Sequence, residues 1–277
     1  MAGVSRSSLQ PWLERWGLTP DGEAFTTEYT GSWLQPVRRG AIPAMLKISS
    51  APEEIAGGAL MEWWGGQGAA RVLEREGEAL LLERAIGSRS LIEMSKAGDD
   101  DAATAIICDA VAVLHAPRQP ELPATLVPLD VWFRALAPAA AAHGGVLAKA
   151  EAVARNLLSE PRDVVALHGD VHHANILDFG SRGWLAIDPK GVLGERGYDY
   201  ANPFCNPDTA TALQPGRLQR YLTQVAERAA MEPQRLLMWI LAYSGLSAAW
   251  ILEDGQDWES EDFDLSIAEL AAAELGL

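Results

Sequence analysis

One stretch constrains this chain more than any other. It reads Leu167-His168-Gly169-Asp170-Val171-His172-His173-Ala174-Asn175-Ile176-Leu177 and is followed by Trp184-Leu185-Ala186-Ile187-Asp188-Pro189. The apolar runs Ile176-Leu177 and Trp184 to Ile187 flank a turn-forming segment, which predicts a short hairpin. A hairpin brings the chain back, so Asp188 returns beside Asn175. Two carboxylates and an amide oxygen then meet at one place. That set suits metal-assisted phosphoryl transfer. One carboxylate accepts the proton of an attacking hydroxyl, while the amide oxygen and the second carboxylate hold magnesium on a triphosphate. Asp170 is expected as the catalytic base, with Asn175 and Asp188 as metal ligands.

The spacing is that of a kinase catalytic loop and its metal aspartate. Asp178-Phe179-Gly180 spells the protein-kinase metal motif, but it falls only three residues after Asn175, in the turn of the hairpin, and is set aside. His168, two residues before the base, is expected to pack against the metal loop and is counted with the catalytic group. His172 and His173 have no ligand spacing for zinc; one is expected buried and hydrogen-bonded, the other facing the cleft.

A triphosphate also needs a cation, and the chain has only four lysines: Lys47, Lys96, Lys149 and Lys190. Lys47 sits in the apolar β pattern Met45-Leu46-Lys47-Ile48, where a charge is costly unless paired. It is expected to bind the α- and β-phosphates, held by a Glu from the next helix, with Glu54 the preferred partner and Glu53 the runner-up. Thr30-Gly31-Ser32 would form the turn over the phosphates. Leu82-Glu83-Arg84-Ala85 would bridge two lobes, Glu83 and Ala85 offering backbone groups to the adenine. Lys190, two residues after Asp188, would set a second cation beside the phosphates to assist transfer, or would mark an anionic acceptor.

The organisation agrees. Trp12, Leu13 and Trp16 predict a short amphipathic helix. Strand patterns cover Phe25 to Ile48, with a turn at Arg38-Arg39-Gly40. Pro52-Glu53-Glu54 opens a helix expected to end at Gly65-Gly66. Residues 71–84 read as a hairpin around Gly77. Helical patterns then dominate: about 99–114, 129–158, and 214–277 with breaks at Pro233 and Gly255. The expected fold is α+β and protein-kinase-like: a small β-rich nucleotide-binding lobe over 1–86, and a larger, mainly helical lobe over 87–277 that carries the catalytic loop and acceptor site.

Composition narrows the partners. A net charge of −16 argues against nucleic acid, whose phosphates call for Lys and Arg, and favours a cationic small molecule. Cys108 and Cys205 make no zinc or redox spacing, which fits a reducing cytoplasm. The first ten residues lack the apolar stretch of a secretory signal, and no apolar run reads as long and clean enough to span a bilayer. A monomer or homodimer is expected.

The catalytic stretch, Ser181-Arg182-Gly183-Trp184-Leu185-Ala186-Ile187-Asp188-Pro189, Gly194-Glu195 and Ser247-Ala248-Ala249-Trp250 together resemble the aminoglycoside phosphotransferase family, in its streptomycin 6-kinase and hydroxyurea phosphotransferase branch. The resemblance runs from about Thr30 to Ala249. It implies a kinase-like fold, ATP with Mg2+, and transfer of the γ-phosphate to an antibiotic hydroxyl, conferring resistance. Tyr198-Asp199-Tyr200-Ala201-Asn202-Pro203-Phe204 is similar to a segment of choline kinase-like enzymes, which implies that Asp199 braces the loop carrying Asp170. By the same resemblance the acceptor pocket would be lined by acids after Trp250. Glu253, Asp254, Asp257, Glu259, Glu261 and Asp262 are the candidates, with Trp250 or Trp258 stacking on guanidinium or ammonium groups; the other reading of this segment is an acidic, solvated loop. Two other readings remain: a kinase for a sugar, amino alcohol or amine on the same fold, and a nucleotide-binding module without turnover.

Overall fold

The structure is a computed structural model and describes residues 5–27, 31–119, 121–253 and 263–277. It opens with α1 (Gln10–Arg15), followed by β1 (Thr19–Pro20), β2 (Phe25–Thr26), β3 (Trp33–Arg39) and β4 (Ile42–Ile48). Next come α2 (Pro52–Trp64) and the hairpin β5 (Val72–Glu76) and β6 (Ala79–Glu83), which turns at Gly77 (φ +57°). The six strands form one antiparallel sheet in the order β1-β3-β4-β6-β5, with β2 on β3. Alternation decides which side chains face which way. Val37, Ala44, Leu46, Ile48, Ala79 and Leu81 face α1 and close a small core with Leu9 and Leu13. Lys47, between Leu46 and Ile48 and in register with Leu34 and Leu80, lies on the opposite face.

The α2 helix starts with Pro52 at its first turn and stops at Gly65, whose left-handed backbone (φ +59°) returns its N–H to Met61 and Glu62 carbonyls. It buries Glu54, Gly57, Gly58 and Met61 along one face, and this face meets the catalytic hairpin. A Cβ at Gly57 would stand 1.8 Å from the Pro189 carbonyl oxygen. The helix tolerates a residue that weakens helices because only a bare Cα lets it approach that loop.

The rest of the chain is mainly helical: α3 (Leu91–Lys96), α4 (Asp100–Leu114), then α5 (Leu129–Trp132), α6 (Leu136–His143) and α7 (Gly145–Ser159), and finally α8 (Thr209–Ala212), α9 (Arg217–Arg228), α10 (Pro233–Glu253) and α11 (Phe263–Glu274). Between these lie β7 (Val127–Pro128), β8 (Val164–Leu167), the hairpin β9 (Ile176–Asp178) with β10 (Trp184–Ala186), and β11 (Val192–Glu195). β11 joins β7 and β8 in a three-stranded sheet. Its register sets Val192 opposite Leu167, so the segment after Asp188 runs beside the start of the catalytic loop. The larger core is continuous from Leu60, Met61, Trp64, Leu80 and Leu82 into the helical region.

Three sequence expectations change. The helix expected over 129–158 is broken by a 3-10 turn at Phe133–Ala135 and by Gly144, at φ +64° and ψ −143°. The strand β11 and helix α3 were not anticipated. α10 does have the length and hydropathy to cross a membrane, but 67% of its most apolar window is buried inside the protein, as in a core helix. Gly255, the expected break after α10, lies outside the described residues.

Candidate active site

The loop from His168 to Asn175 leaves β8 and enters β9, and hydrogen bonds hold it at every turn. Asp199, almost wholly buried, accepts from His168 N (2.8 Å) and Gly169 N (2.8 Å), and its Oδ2 lies 2.8 Å from His115 Nε2. This is the bracing role that the family resemblance implies for Asp199. The His168 ring accepts from Asp170 N at Nδ1 (3.2 Å) and donates from Nε2 to the Ile187 carbonyl (2.8 Å). That pattern requires a neutral ring; burial lowers its pKa accordingly, against the opposing charges of Asp199 and Asp170. His168 is fully enclosed and stacked by Trp64. Placing it in the catalytic group is therefore corrected: it cannot touch a ligand, and it ties the loop to the end of β10.

Asp170 is held from both sides. Asn202 Nδ2 donates to Oδ1 (3.0 Å), and Asn175 Nδ2 donates to Oδ2 (3.1 Å) and to the Asp170 carbonyl (2.9 Å). Asn206 Nδ2 in turn donates to Asn202 Oδ1 (2.9 Å). His172 Nε2 lies 3.7 Å from Asp170 Oδ2. Burial alone would raise the Asp170 pKa, but His172, Lys190 and His168 hold it below the ordinary carboxylate value. It is ionised at neutral pH, as a proton acceptor must be.

The hairpin forms as expected, with Ala186 opposite Ile176 and Ile187 N donating to the Asn175 carbonyl (2.9 Å). It places Asp188 in a cluster of four charges. Lys47 Nζ bonds Glu54 Oε2 and Asp188 Oδ1. Lys190 Nζ bonds Glu54 Oε1 (2.8 Å) and Asp188 Oδ2 (3.2 Å). Each ammonium touches both carboxylates, so the pairing expected of Lys47 with Glu54 is one side of a closed ring. Burial works to raise both acids. Lys47 and Lys190 hold Asp188 well below its usual range, while burial, helped by the nearby Asp188 charge, keeps Glu54 above the ordinary carboxylate value. Asp188 itself has a left-handed backbone, φ +61°, a costly state for a residue with a side chain.

Asp178 does something else. Its carboxylate takes Arg89 Nε (2.7 Å) and Nη2 (3.2 Å) and the Gly180 N–H (3.0 Å), and its carbonyl takes the Gly87 N–H (2.9 Å). It clasps the segment that joins the sheet to the helices.

Magnesium is implied by a site of this kind, and the donor set fits. Among the described residues, Asn175 Oδ1 accepts no hydrogen bond, and no group of three or more His, Cys, Asp or Glu side chains is poised around a metal. One carboxylate and one amide oxygen, completed by phosphates and water, suit magnesium rather than zinc.

The remaining expectations divide. Ala85 is half-buried, and its backbone N–H and carbonyl take no hydrogen bond from the described residues. Glu83 is different. Its N–H is bonded to the Arg71 carbonyl (3.0 Å), and its carboxylate to Arg71 N (2.8 Å) and Arg182. Gly31 lies exposed at φ +61°. Ser32 is fully buried, with its hydroxyl 2.8 Å from Ser49 Oγ, so its side chain does not face a phosphate. Thr30, Asp254, Asp257, Trp258, Glu259, Glu261 and Asp262 lie outside the described residues. Trp250 meets Trp132 edge-on (5.6 Å between centroids), and Trp132 Nε1 donates to the Tyr198 hydroxyl (2.8 Å). Glu253 is exposed at the end of α10. His173 is buried as one of the two histidines was expected to be, but neither ring nitrogen has a hydrogen-bond partner among the described residues. Burial, with Arg217 beside it, pushes its pKa down to about 3.

Sequence reasoning missed Asn202, Asn206, His115, Trp132 and Arg89. Asn202 had a usable signal, three residues after Asp199 in a segment already singled out. His115 and Arg89 sit far from the loop in sequence and carry no motif.

Comparison with known proteins agrees with this geometry. Residues 15–255 match the model of the aminoglycoside/hydroxyurea antibiotic resistance kinase family. The chain is 53% identical over 248 residues to the streptomycin 3''-kinase of Klebsiella pneumoniae, covering 88% of this chain and 92% of that protein. It is 30% identical to the streptomycin 6-kinase of Streptomyces griseus, covering 88% and 81%. Among solved structures it is similar in fold to the aminoglycoside phosphotransferase APH(3'')-Id of Streptomyces rimosus, with a TM-score of 0.63, 18% identity, and 88% and 99% of the two chains covered. The chain belongs to the aminoglycoside/hydroxyurea antibiotic resistance kinase family and is an enzyme of the phosphotransferase class.

Proposed function

We propose that this protein moves the γ-phosphate of ATP to a hydroxyl of streptomycin, at the 3'' position, and so confers resistance to it. The observation that carries the chemistry is Asp170, ionised and pinned between Asn175 and Asn202. The acceptor rests on the 53% identity with a streptomycin 3''-kinase, well above the 30% with a streptomycin 6-kinase.

Residues 1–86 take the nucleotide and residues 87–277 the acceptor. Ala85 offers backbone groups to the adenine, and Lys47, steadied by Glu54, binds phosphate oxygens. Asn175 Oδ1 and Asp188 would hold Mg2+, which would supply positive charge to offset that of the phosphates. Asp170 accepts the hydrogen bond of the incoming hydroxyl, aims its oxygen at the γ-phosphorus, and takes its proton. The fixed orientation matters more than basicity, because the transition state asks little of a base beyond position. The guanidinium groups of streptomycin suit an acidic protein of net charge −16. Trp250, with Trp132 beside it, and Glu253 would meet the acceptor, and the sequence expectation for Asp254 and Asp257 is the same. The protein works in the cytoplasm, where ATP is available.

The test is transfer and protection together. Purified protein with ATP and Mg2+ should convert streptomycin to a monophosphate located at the 3''-hydroxyl by NMR, and host cells expressing it should survive higher streptomycin. No phosphate on streptomycin and no protection would sink this reading.

A further inference from the structure

Lys190 stands apart from the four groups the chemistry strictly requires, yet it is built into their midst. Its Nζ reaches Glu54 Oε1 at 2.8 Å and Asp188 Oδ2 at 3.2 Å, and its side chain is only 14% exposed. Its own backbone is fixed, since Lys190 N donates to the His168 carbonyl (2.7 Å). The next residue, Gly191 (φ +67°), packs so tightly on α2 that a Cβ there would lie 2.9 Å from Ala56. The ammonium lies against the metal carboxylate, and its backbone is tied to the loop that carries the proton acceptor. The transferring phosphoryl group has to pass between those two.

We propose that Lys190 is a catalytic cation that binds the γ-phosphoryl group during transfer, with Glu54 as the anchor it shares with Lys47. This rests on the phosphotransferase reading of the site. In the step, the acceptor oxygen forms a bond to the γ-phosphorus, and the bond from that phosphorus to the β,γ-bridging oxygen breaks. The bond's electron pair leaves with ADP, and the hydroxyl proton passes to Asp170. Negative charge spreads over the γ-phosphoryl oxygens as this happens, and a fixed ammonium favours that state over the ground state. With Asp188 engaged in holding a metal, Glu54 Oε1 would still hold Lys190, which would leave its other donors for the phosphoryl oxygens. Glu54 is what lets one helix hold two lysines at different points along the triphosphate.

The experiment compares wild type, Lys190→Met, Lys190→Gln and Lys190→Arg in equilibrium titrations with Mg·ADP, with and without aluminium fluoride as a mimic of the transferring group, alongside streptomycin kinetics. In wild type, fluoride should tighten ADP binding. Lys190→Met and Lys190→Gln should keep Mg·ADP affinity within about threefold but lose roughly 100-fold of the fluoride-dependent tightening. Their kcat should fall ~10²–10³-fold with the streptomycin KM nearly unchanged. Lys190→Arg should recover a substantial part of both. Should Lys190→Met fail to fold, the glutamine and arginine variants, which keep a polar head, decide between charge and packing. Full tightening without the lysine, or equal losses for ADP with and without fluoride, overturns the proposal, and so does a wild type that shows no tightening. A wild type that tightens but does not phosphorylate streptomycin leaves Lys190 in place and removes only the acceptor.

Discussion

Asn202 donates its Nδ2 to Asp170 Oδ1 over 3.0 Å, from a segment 32 residues further along the chain. Asn175 holds the other carboxylate oxygen, so rotation of the carboxylate is restrained from both sides. Asn206 fixes the Asn202 amide in turn. Asn202→Ala should therefore loosen the base without touching the nucleotide. A hydrogen bond to a charged group contributes about 1.5–3 kcal/mol, so kcat should fall roughly 10–100-fold. Affinity for Mg·ATP, measured by direct titration, should stay within about threefold. An equal fall in nucleotide affinity would mean that Asn202 supports the whole loop rather than Asp170.

Gly57 and Pro189 meet where α2 crosses the catalytic hairpin, with room for no side chain. Gly57→Ala should push α2 outward and open the ring of Lys47, Glu54, Asp188 and Lys190. Overpacking of this kind costs about 1–3 kcal/mol, visible as a lowered Tm, and Mg·ATP affinity should drop at least about tenfold. Gly58→Ala is the comparison, since its nearest neighbour is the flexible end of Arg75 at 3.3 Å. If both variants bind nucleotide equally well, the close approach does not govern the ring.

The two aspartates of the hairpin should separate cleanly. Asp188→Ala should abolish magnesium-dependent nucleotide binding. Asp178→Ala should leave it within a few-fold while lowering stability, because its partners are Arg89 and the Gly180 N–H. Calorimetric titration with and without Mg2+ distinguishes them. Loss of metal dependence in Asp178→Ala instead would reverse the assignment.

Asp178 also predicts a pH dependence. The Arg89 hydrogen bond, against the effect of burial, lowers its pKa to about 2, whereas an unfolded Asp titrates near ~3.9. Stability from the pair is therefore complete above pH ~5 and is lost as pH falls from about 4 toward about 2. In urea unfolding, the stability gap between wild type and Arg89→Ala should be constant from about pH 5 to 7 and should narrow below about pH 4. A gap that widens in acid would show that the pair is not what stabilises this contact.

Much of this site could be read from local patterns, because local rules set them. Alternation around Lys47 placed it on one face of a strand, Pro52 and Gly65 marked the ends of α2, and the apolar pairs flanking Asp178 marked the hairpin. The hairpin alone was enough to prefer Asp188 to Asp178. What stayed hidden depends on contacts between distant segments. The phosphate turn looked plausible as a sequence, but the Ser32 hydroxyl turned inward to meet Ser49, just past the end of the neighbouring strand. Glu83 looked free to meet a ligand until its N–H and carboxylate were seen committed to Arg71 and Arg182. His168 carried the right spacing, yet only packing against Trp64 shows that it is sealed away. The closed ring of charges needed Lys190 and Glu54 to meet across 136 residues.

The most direct test is a single-turnover measurement of phosphoryl transfer from labelled ATP to streptomycin with wild type and Asp170→Asn. The substitution keeps the shape and the capacity to accept a hydrogen bond but removes the charge and the ability to take the proton. Wild type should yield phosphorylated streptomycin, and the variant should do so ~10²–10⁴-fold more slowly with nearly unchanged ATP binding. Transfer at the wild-type rate in the variant would contradict the role given to Asp170 and, with it, the account of the site.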